Sequence, residues 1–138
     1  MTSTDLILAS DVRRRLLAHA REGAAADPPR EVCGVLVGEG GRVTDCRRVP
    51  NVAADPRTRY ELDPEATMAA VDDAEAAGDD VVGFYHSHPE SAAVPSDADV
   101  ERATWVRYVY AIVSPWDDEI RAWRWTGDAF ESLDVRVG

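Results

Sequence analysis

The sequence predicts an α+β fold in which a mixed, mostly antiparallel β-sheet is flanked by helices. Short apolar runs rich in valine, isoleucine and aromatic residues recur along the chain between turn residues, a pattern typical of strands. Other stretches have apolar residues at helical spacing behind Ser or Asp start signals. At 138 residues the chain is long enough for one core and too short for two, so residues 1–138 are expected to form a single domain.

Three helices are predicted, each behind a start signal of Ser, Asp or Asp-Pro. They cover residues 10 to about 21, 63 to about 77 and 96 to about 104. The first is amphipathic, with its apolar side formed by Val12, Leu16, Leu17 and Ala20. Strands are predicted over residues 6–8, 31–38, 42–49, 81–85, 108–113, 120–125 and 130–137, with 51–64 as a loop or irregular strand.

Whether the two cysteines can form a disulfide depends on the register of the hairpin predicted from the second and third strands. If its loop is Glu39-Gly40, Cys33 faces Cys46 at a Cα separation of about 4.5 to 5.5 Å, which is within disulfide reach. A loop on Gly40-Gly41 breaks that register, and the cytosol disfavours such a bridge. Free thiols are therefore favoured over a disulfide.

The most informative pattern follows the fourth predicted strand. His86 and His88 are two residues apart, so alternation along a strand turns both imidazoles to one face and Ser87 to the other. Ser96 and Asp99 are three apart at the start of the third helix, so they share a face that can turn toward the histidines.

This grouping predicts a zinc site with His86, His88 and Asp99 as ligands and water in the fourth position. Such an open site is the catalytic type, because zinc-bound water has a pKa of roughly 7 instead of about 15.7. Each part also has a simpler interpretation: a histidine at a strand end is usually a satisfied polar residue, and Ser96-x-x-Asp99 is typical of a helix capping box. The conjunction of all four within fourteen residues favours the metal site.

The spacing His86-x-His88, seven residues, then Ser96-x-x-Asp99 resembles the signature of the JAMM, or MPN-plus, metalloprotease family. That family also has a glutamate at the start of an upstream apolar strand, and Glu31 matches this place. The resemblance covers most of the chain, without departure at the five motif positions. It implies a JAMM/MPN-type domain that holds one Zn²⁺ ion per chain through the two histidines and the aspartate.

The resemblance also implies catalytic roles. Glu31 would act as general base, taking a proton from the attacking water and delivering it to the leaving amine. Ser96 would donate a hydrogen bond to the developing oxyanion. Without the resemblance, Glu31 is more simply a solvated charge after Pro28-Pro29-Arg30. The implied activity is that of archaeal desampylase-like members: cleavage of the isopeptide bond between the C-terminal Gly-Gly of a ubiquitin-like modifier and a target lysine, and in some cases of linear fusions.

Other functions remain open. Bacterial family members of similar size process a sulfur-carrier protein of ubiquitin-like fold, and one active site would serve both reactions. A non-enzymatic MPN scaffold would keep the metal structurally, although the intact Glu31 argues against it. A nucleic-acid-linked relative fits poorly with the charge. Residues 51–60 either pair with an extended modifier tail by strand addition or form an ordinary connection.

The charge balance narrows the partners and the source. All 15 basic residues are arginine while Asp and Glu number 26, giving a net charge of −11. Nucleic acid and anionic membranes need basic patches, so neither is expected as a partner. Acid excess without lysine favours a halophilic archaeon, where salt screens self-repulsion, over a high-GC bacterium. The absence of a signal-peptide pattern and of an apolar run of roughly 20 residues predicts a cytoplasmic protein.

Overall fold

A computed structural model of the protein describes residues 5–138 and contains seven strands and three helices in this range. In this range the strands are β1 (Asp5–Leu8), β2 (Cys33–Glu39), β3 (Arg42–Val49), β4 (Asp80–Ser87), β5 (Val109–Ser114), β6 (Glu119–Trp125) and β7 (Phe130–Val137). The helices are α1 (Ser10–Ala25), α2 (Pro64–Ala76) and α3 (Asp97–Arg102). The predicted α+β class is confirmed. No described helix is long and apolar enough to cross a membrane.

The described strands close into a barrel in the order β1-β3-β2-β4-β5-β6-β7, with β7 beside β1. The pairs β2–β3, β2–β4, β5–β6 and β6–β7 are antiparallel. The pairs β1–β3, β1–β7 and β4–β5 are parallel. The sheet is thus mixed and mostly antiparallel, as predicted. Parallel neighbours need a crossover, and the crossover from β4 to β5 carries α3.

The two faces of the sheet bury different apolar clusters. Leu36 and Tyr85 pack with α1 on one face, whereas Val35 and Phe84 pack with α2 on the other. This division follows from the alternation of side chains along β2 and β4. His86 is two residues after Phe84, so it lies on the same face as α2.

Two element boundaries position the functional residues differently from the prediction. Strand β2 begins at Cys33, so Glu31 precedes the strand instead of opening it. Helix α3 ends at Arg102, because the extended backbone of Ala103 (φ −66°, ψ 120°) cannot continue a helix. Helix α1 in turn runs four residues further than predicted, to Ala25.

The hairpin register keeps the cysteines apart. Glu39 faces Arg42, so the loop is Gly40-Gly41, and Gly40 adopts a left-handed φ of 61° that favours glycine. A further register shift between Val37 and Gly38 pairs Cys33 with Val49 and Leu36 with Cys46. Both cysteines are buried free thiols.

Candidate metal centre

Four buried side chains meet at the end of β4. The potential ligand atoms of Glu31, His86, His88 and Asp99 all lie within 4.8 Å of one another. Their residues are 5%, 2%, 6% and 7% exposed, respectively. Pairing of β2 with β4 sets Cys33 opposite His86, which brings the preceding Glu31 to the histidines. The structure therefore brings together four of the five residues that the motif predicts for the site.

The histidine pair has the orientation that strand alternation predicts. The ring centroids of His86 and His88 are 5.2 Å apart. Ser87 points to the opposite face, where its Oγ accepts a 2.9 Å hydrogen bond from the Val32 amide. The Ser87 amide in turn donates to the Val32 carbonyl at 2.9 Å.

Asp99 takes part in the helix cap and in the cluster at once. Its amide donates to Ser96 Oγ at 3.1 Å, and its Oδ2 accepts from the Ser96 amide at 2.9 Å. This is the capping box that the sequence indicates. Oδ1 of Asp99 also lies 3.1 Å from His86 Nε2, and Oδ2 lies 3.1 Å from His88 Nε2. The fifth motif residue, Ser96, is exposed at the N-cap of α3.

The hydrogen bonds fix the imidazole of His88 in a state suited to metal binding. Its Nδ1 lies 3.0 Å from the carbonyl of Ala92, which can only accept, so Nδ1 donates. Nε2 therefore points its lone pair toward Asp99 when the ring is neutral, and a fixed second ring nitrogen of this kind is usual for metal-ligating histidines. Burial lowers the pKa of His88, but its bonds to Asp99 and Ala92 outweigh burial and raise it.

The remaining pKa shifts in the cluster reflect burial and mutual charge. Burial is the main cause that lowers the pKa of His86. Burial would raise the pKa of Asp99, but the close approach of the His86 and His88 imidazoles holds it well below its usual range. Burial raises the pKa of Glu31 to about 8, with His88 opposing the shift and Asp99 adding to it.

The donor set fits one divalent cation. Glu31 Oε1 has no hydrogen-bond partner within residues 5–138, and neither has His86 Nε2, whose approach to Asp99 lacks hydrogen-bond geometry. Buried polar atoms of this kind are rarely left without a partner. Two imidazole nitrogens and a carboxylate suit zinc, whose tetrahedral ligand atoms at 2.0–2.1 Å would lie about 3.3 Å apart, close to the nitrogen–oxygen distances around Asp99.

Tyr60 is a site residue that the sequence did not reveal. Its ring stacks on the imidazole of His86, with centroids 4.1 Å apart and planes inclined by 16°. Burial and the negative charge of Asp99 raise the pKa of its hydroxyl. Tyr60 lies in the connection between β3 and α2, where no periodic pattern marks which side chain turns toward the histidines.

An apolar groove of about 740 Å³ lies between α2 and the segment after α3. Its lining includes Leu62, Met68, Phe84, Trp105 and Tyr108. Met68 and Trp105 are 62% and 53% exposed, which is unusual for such large apolar side chains. Phe84 shares its face of β4 with His86, so the groove and the cluster lie on the same face of that strand.

Fold and site together define a JAB-type domain with a His-x-His and aspartate centre. Residues 9–126 match the family described as prokaryotic homologs of the JAB domain, and the chain belongs to this family. The resemblance inferred from the motif is confirmed.

Individual relatives narrow the comparison. A protein named desampylase from Haloferax volcanii is 58% identical over 139 residues, covering 99% of each chain. A CysO-cysteine peptidase from Mycobacterium tuberculosis is 34% identical over 136 residues, covering 96% of this chain and 90% of the relative. The solution structure of a protein from Desulfitobacterium hafniense has a TM-score of 0.83 at 26% identity, covering 96% of this chain and 92% of that one.

Proposed function

We propose that this protein is a zinc-dependent metallo-isopeptidase. It would hydrolyse the amide bond after the C-terminal Gly-Gly of a ubiquitin-like modifier and so release the modifier from target lysines or linear fusions. The observation that carries this proposal is the buried carboxylate of Glu31, whose Oε1 lacks a partner within residues 5–138 beside the His-His-Asp set. A structural zinc site needs no such free carboxylate and usually closes its fourth position with protein. Identity of 58% to a desampylase along the full chain supports this substrate class.

The cluster divides into ligands and a base. His86, His88 and Asp99 would hold one zinc ion, which when bound polarises a carbonyl and lowers the pKa of water to roughly 7. Glu31 takes the proton of the attacking water as the new carbon–oxygen bond forms. It then gives that proton to the amine nitrogen as the carbon–nitrogen bond breaks. Its pKa of about 8 falls beside a divalent cation, so the carboxylate form is present at neutral pH.

Ser96 would stabilise the oxyanion that develops during attack. Its Oγ accepts the Asp99 amide in the capping box, and this bond uses a lone pair of the oxygen. The hydroxyl proton is therefore still available for donation to a substrate oxygen. Capping also fixes Ser96 at the start of α3, so the donor is held in place before the substrate arrives.

The modifier would be recognised by two surfaces. The apolar groove lies on the same face of β4 as the cluster and would receive the folded body of the modifier, since Met68 and Trp105 are exposed there. Residues 51–60 would pair with the extended tail. Arg57 in this loop forms an ion pair with Glu90, at 2.9 and 3.2 Å, that links it to the loop after His88. The two loops thus flank the approach to the cluster.

A second candidate is processing of a sulfur-carrier protein of ubiquitin-like fold. The 34% identity to a CysO-cysteine peptidase over most of both chains favours it. Both reactions hydrolyse an amide at the end of a small modifier, so the same residues would act.

The acidic, lysine-free composition and the Haloferax relative support a halophilic archaeal source over a high-GC bacterium, and we place the protein in the cytoplasm.

The decisive experiment offers the purified protein, in high salt, a modifier joined through its C-terminal Gly-Gly to a target lysine. Cleavage should disappear in Glu31→Gln and after chelation, and zinc should return it to the chelated wild type. The matched control is Glu101→Gln, which changes an exposed glutamate of α3. Glu31→Gln should still bind one zinc per chain, because Glu31 is not a proposed ligand.

Two results would contradict the proposal. A wild-type protein that binds zinc but leaves the conjugate intact is not an isopeptidase for that linkage. If the same sample releases an amino acid from a sulfur-carrier protein, the second candidate replaces the first. Full activity in Glu31→Gln would remove Glu31 as the base whichever substrate is cleaved.

A further inference from the structure

We propose that Asn51 is a positioning residue, which holds the backbone of Glu31 in place against the histidine pair. Asn51 follows β3 at the start of the connection to α2, and it lies outside the motif that predicts the site. This inference rests on the proposed role of Glu31 as general base. It concerns how the base is held, because nothing in the cluster itself fixes the Glu31 carboxylate.

The backbone of Glu31 is held by the segment from Asn51 to Leu62. Glu31 precedes β2, which begins at Cys33, so it lies beyond the strand ladder. Its amide donates to the Pro56 carbonyl at 2.7 Å. Its carbonyl accepts from Asn51 Nδ2 at 2.9 Å. The loop therefore contacts both backbone polar groups of the proposed base.

The amide of Asn51 uses its full hydrogen-bonding capacity in this segment. Nδ2 donates to the carbonyls of Glu31 and Arg59, at 2.9 and 3.0 Å. Oδ1 accepts from the amides of Ala53 and Glu61, both at 3.0 Å. Carbonyls only accept and backbone amides only donate, so the orientation of the side chain is fixed by its partners.

These bonds connect the base to a metal-ligand side chain. Arg59, which Asn51 holds, precedes Tyr60, and Tyr60 stacks on His86 at 4.1 Å. An isolated antiparallel β-bridge between Asn51 and Leu62 joins the two ends of this segment. Asn51 thus joins the Glu31 backbone to the segment that covers His86, and the bond from the Glu31 amide to Pro56 is a second connection between them.

The residue type is specific to this task. Aspartate in the same place has no donor, and its oxygens would face the two carbonyls that Nδ2 now contacts. Glutamine adds a methylene group and displaces the amide from four partners at once. Alanine removes all four bonds. Only the asparagine amide matches two acceptors and two donors at this reach.

Loss of the four Asn51 hydrogen bonds, here called the clamp, should change kcat more than KM. A catalytic group has to stay within about 0.5 Å of its productive position, and a small displacement of a base is costly in rate. We expect kcat to fall about 10- to 100-fold in Asn51→Asp, with KM changed by less than about threefold. Zinc affinity should remain, because the strand pairing of β4 and the capping box of α3, neither of which involves Asn51, hold the backbones of His86, His88 and Asp99.

The test compares Asn51→Asp and Asn51→Ala with Thr126→Ala. The control removes the exposed 3.2 Å bond from Thr126 Oγ1 to the Ala129 carbonyl, in the turn between β6 and β7, and leaves Glu31 and residues 51–60 untouched. Four quantities are measured: kcat and KM on the conjugate, zinc affinity by chelator competition, and hydrogen exchange of the Glu31 amide by NMR. We expect lower kcat and at least tenfold faster exchange of the Glu31 amide in both Asn51 variants, and neither change in the control. Circular dichroism identifies a variant that fails to fold, and the other variant then decides.

Three results would overturn the inference. One is an unchanged kcat in folded variants whose thermal midpoint has dropped, which would leave Asn51 a purely structural role. A loss of zinc in parallel with activity would place its effect on the ligands instead. The third is unchanged exchange of the Glu31 amide, which would show that its bond to the Pro56 carbonyl persists without Asn51 and that Asn51 does not hold the Glu31 backbone in place. An inactive wild type would refute the proposed function, whereas faster exchange confined to the Asn51 variants would still support the clamp.

Discussion

The two faces of β4 carry buried polar side chains in opposite states. Toward α1, the Tyr85 hydroxyl lies 2.9 Å from His19 Nδ1, and Ser87 Oγ accepts the Val32 amide at 2.9 Å. Toward the cluster, His86 Nε2 has no hydrogen-bond partner in the described part of the chain, although the residue is as deeply buried. Neighbouring residues of one strand thus differ in whether the protein itself completes their hydrogen bonds.

The difference separates packing from ligand binding. A buried polar group without a partner costs free energy, and native proteins seldom keep one without a reason. On the α1 face the partners are other side chains and the backbone, so changes there should alter stability. On the cluster face the proposed partner is a metal ion, so changes there should alter metal content and turnover.

The largest expected effect on the cluster face comes from Asp99→Asn. The amide oxygen can still accept the Ser96 amide, so α3 stays capped, but the ligand charge is gone. We expect zinc to be lost on dialysis and activity to fall to background, whereas circular dichroism should stay unchanged. Asp97→Asn, which removes an exposed first-turn carboxylate of the same helix, is the control and should keep both. Stoichiometric zinc in Asp99→Asn would show that Asp99 is not a ligand.

Substitutions of Ser96 should have a smaller effect, and different variants separate its proposed role as oxyanion donor from its role as helix cap. Ser96→Ala should lower kcat about 100-fold, as loss of one oxyanion donor does, and should destabilise the protein by about 1 kcal/mol through loss of the cap. Ser96→Asp keeps a capping oxygen without a hydroxyl, so only kcat should fall. Ser96→Thr keeps the capping oxygen and the hydroxyl, so kcat and stability should both remain close to the wild type. Steady-state kinetics and urea unfolding measure the two effects, and wild-type turnover in Ser96→Asp would leave Ser96 with capping alone.

Most of the cluster could be predicted from local sequence because its geometry is local. Alternation along a strand brings His86 and His88 to one face, and helical spacing joins Ser96 to Asp99. Glu31 required the family resemblance, since its approach to His86 depends on the pairing of β2 with β4. No spacing of residues along the chain predicts the register between β2 and β4.

Irregular backbone explains what the sequence did not show. The Gly40-Gly41 loop already separates Cys33 from Cys46, and the register shift between Val37 and Gly38 moves Cys33 one residue further, although neither flanking residue type requires a shift there. Tyr60 and Asn51 lie in a connection whose shape is set by hydrogen bonds between side chains and backbone. Such a loop has no period, so its sequence predicts that it is a loop and leaves its inward-facing residues unmarked.

On the α1 face, Tyr85→Phe should act on stability alone. The change removes the hydroxyl that lies 2.9 Å from His19 Nδ1 and keeps the buried ring. Loss of one such bond should lower the free energy of unfolding by about 1 kcal/mol, measured by urea denaturation. Zinc content and kcat should match the wild type within twofold. A larger loss of kcat at unchanged stability would mean that the two faces of β4 are not independent.

The smallest predicted effect is the pH dependence that His19 adds to stability. Burial lowers its pKa to about 4, with Arg48 adding to this shift and Glu22 opposing it. The ordinary histidine pKa is about 6.5, so between these values the unfolded chain binds a proton that the folded protein resists. Stability should therefore fall as the pH drops from about 6.5 toward about 4, and this contribution should vanish above that window.

Comparison of the wild type with His19→Gln isolates this contribution, because the carboxylates that also titrate in acid are common to both proteins. The imidazole is only partly buried, so solvent weakens the effect of its lowered pKa on stability. We expect the wild type to lose roughly 0.5 to 1 kcal/mol more free energy of unfolding than the variant between pH 7 and pH 4.5. Urea denaturation of the metal-free proteins at each pH measures the difference. Parallel stability curves would show that burial does not hold His19 neutral in the folded protein. A divergence that appears in kcat instead would place His19 in the chemistry of the opposite face.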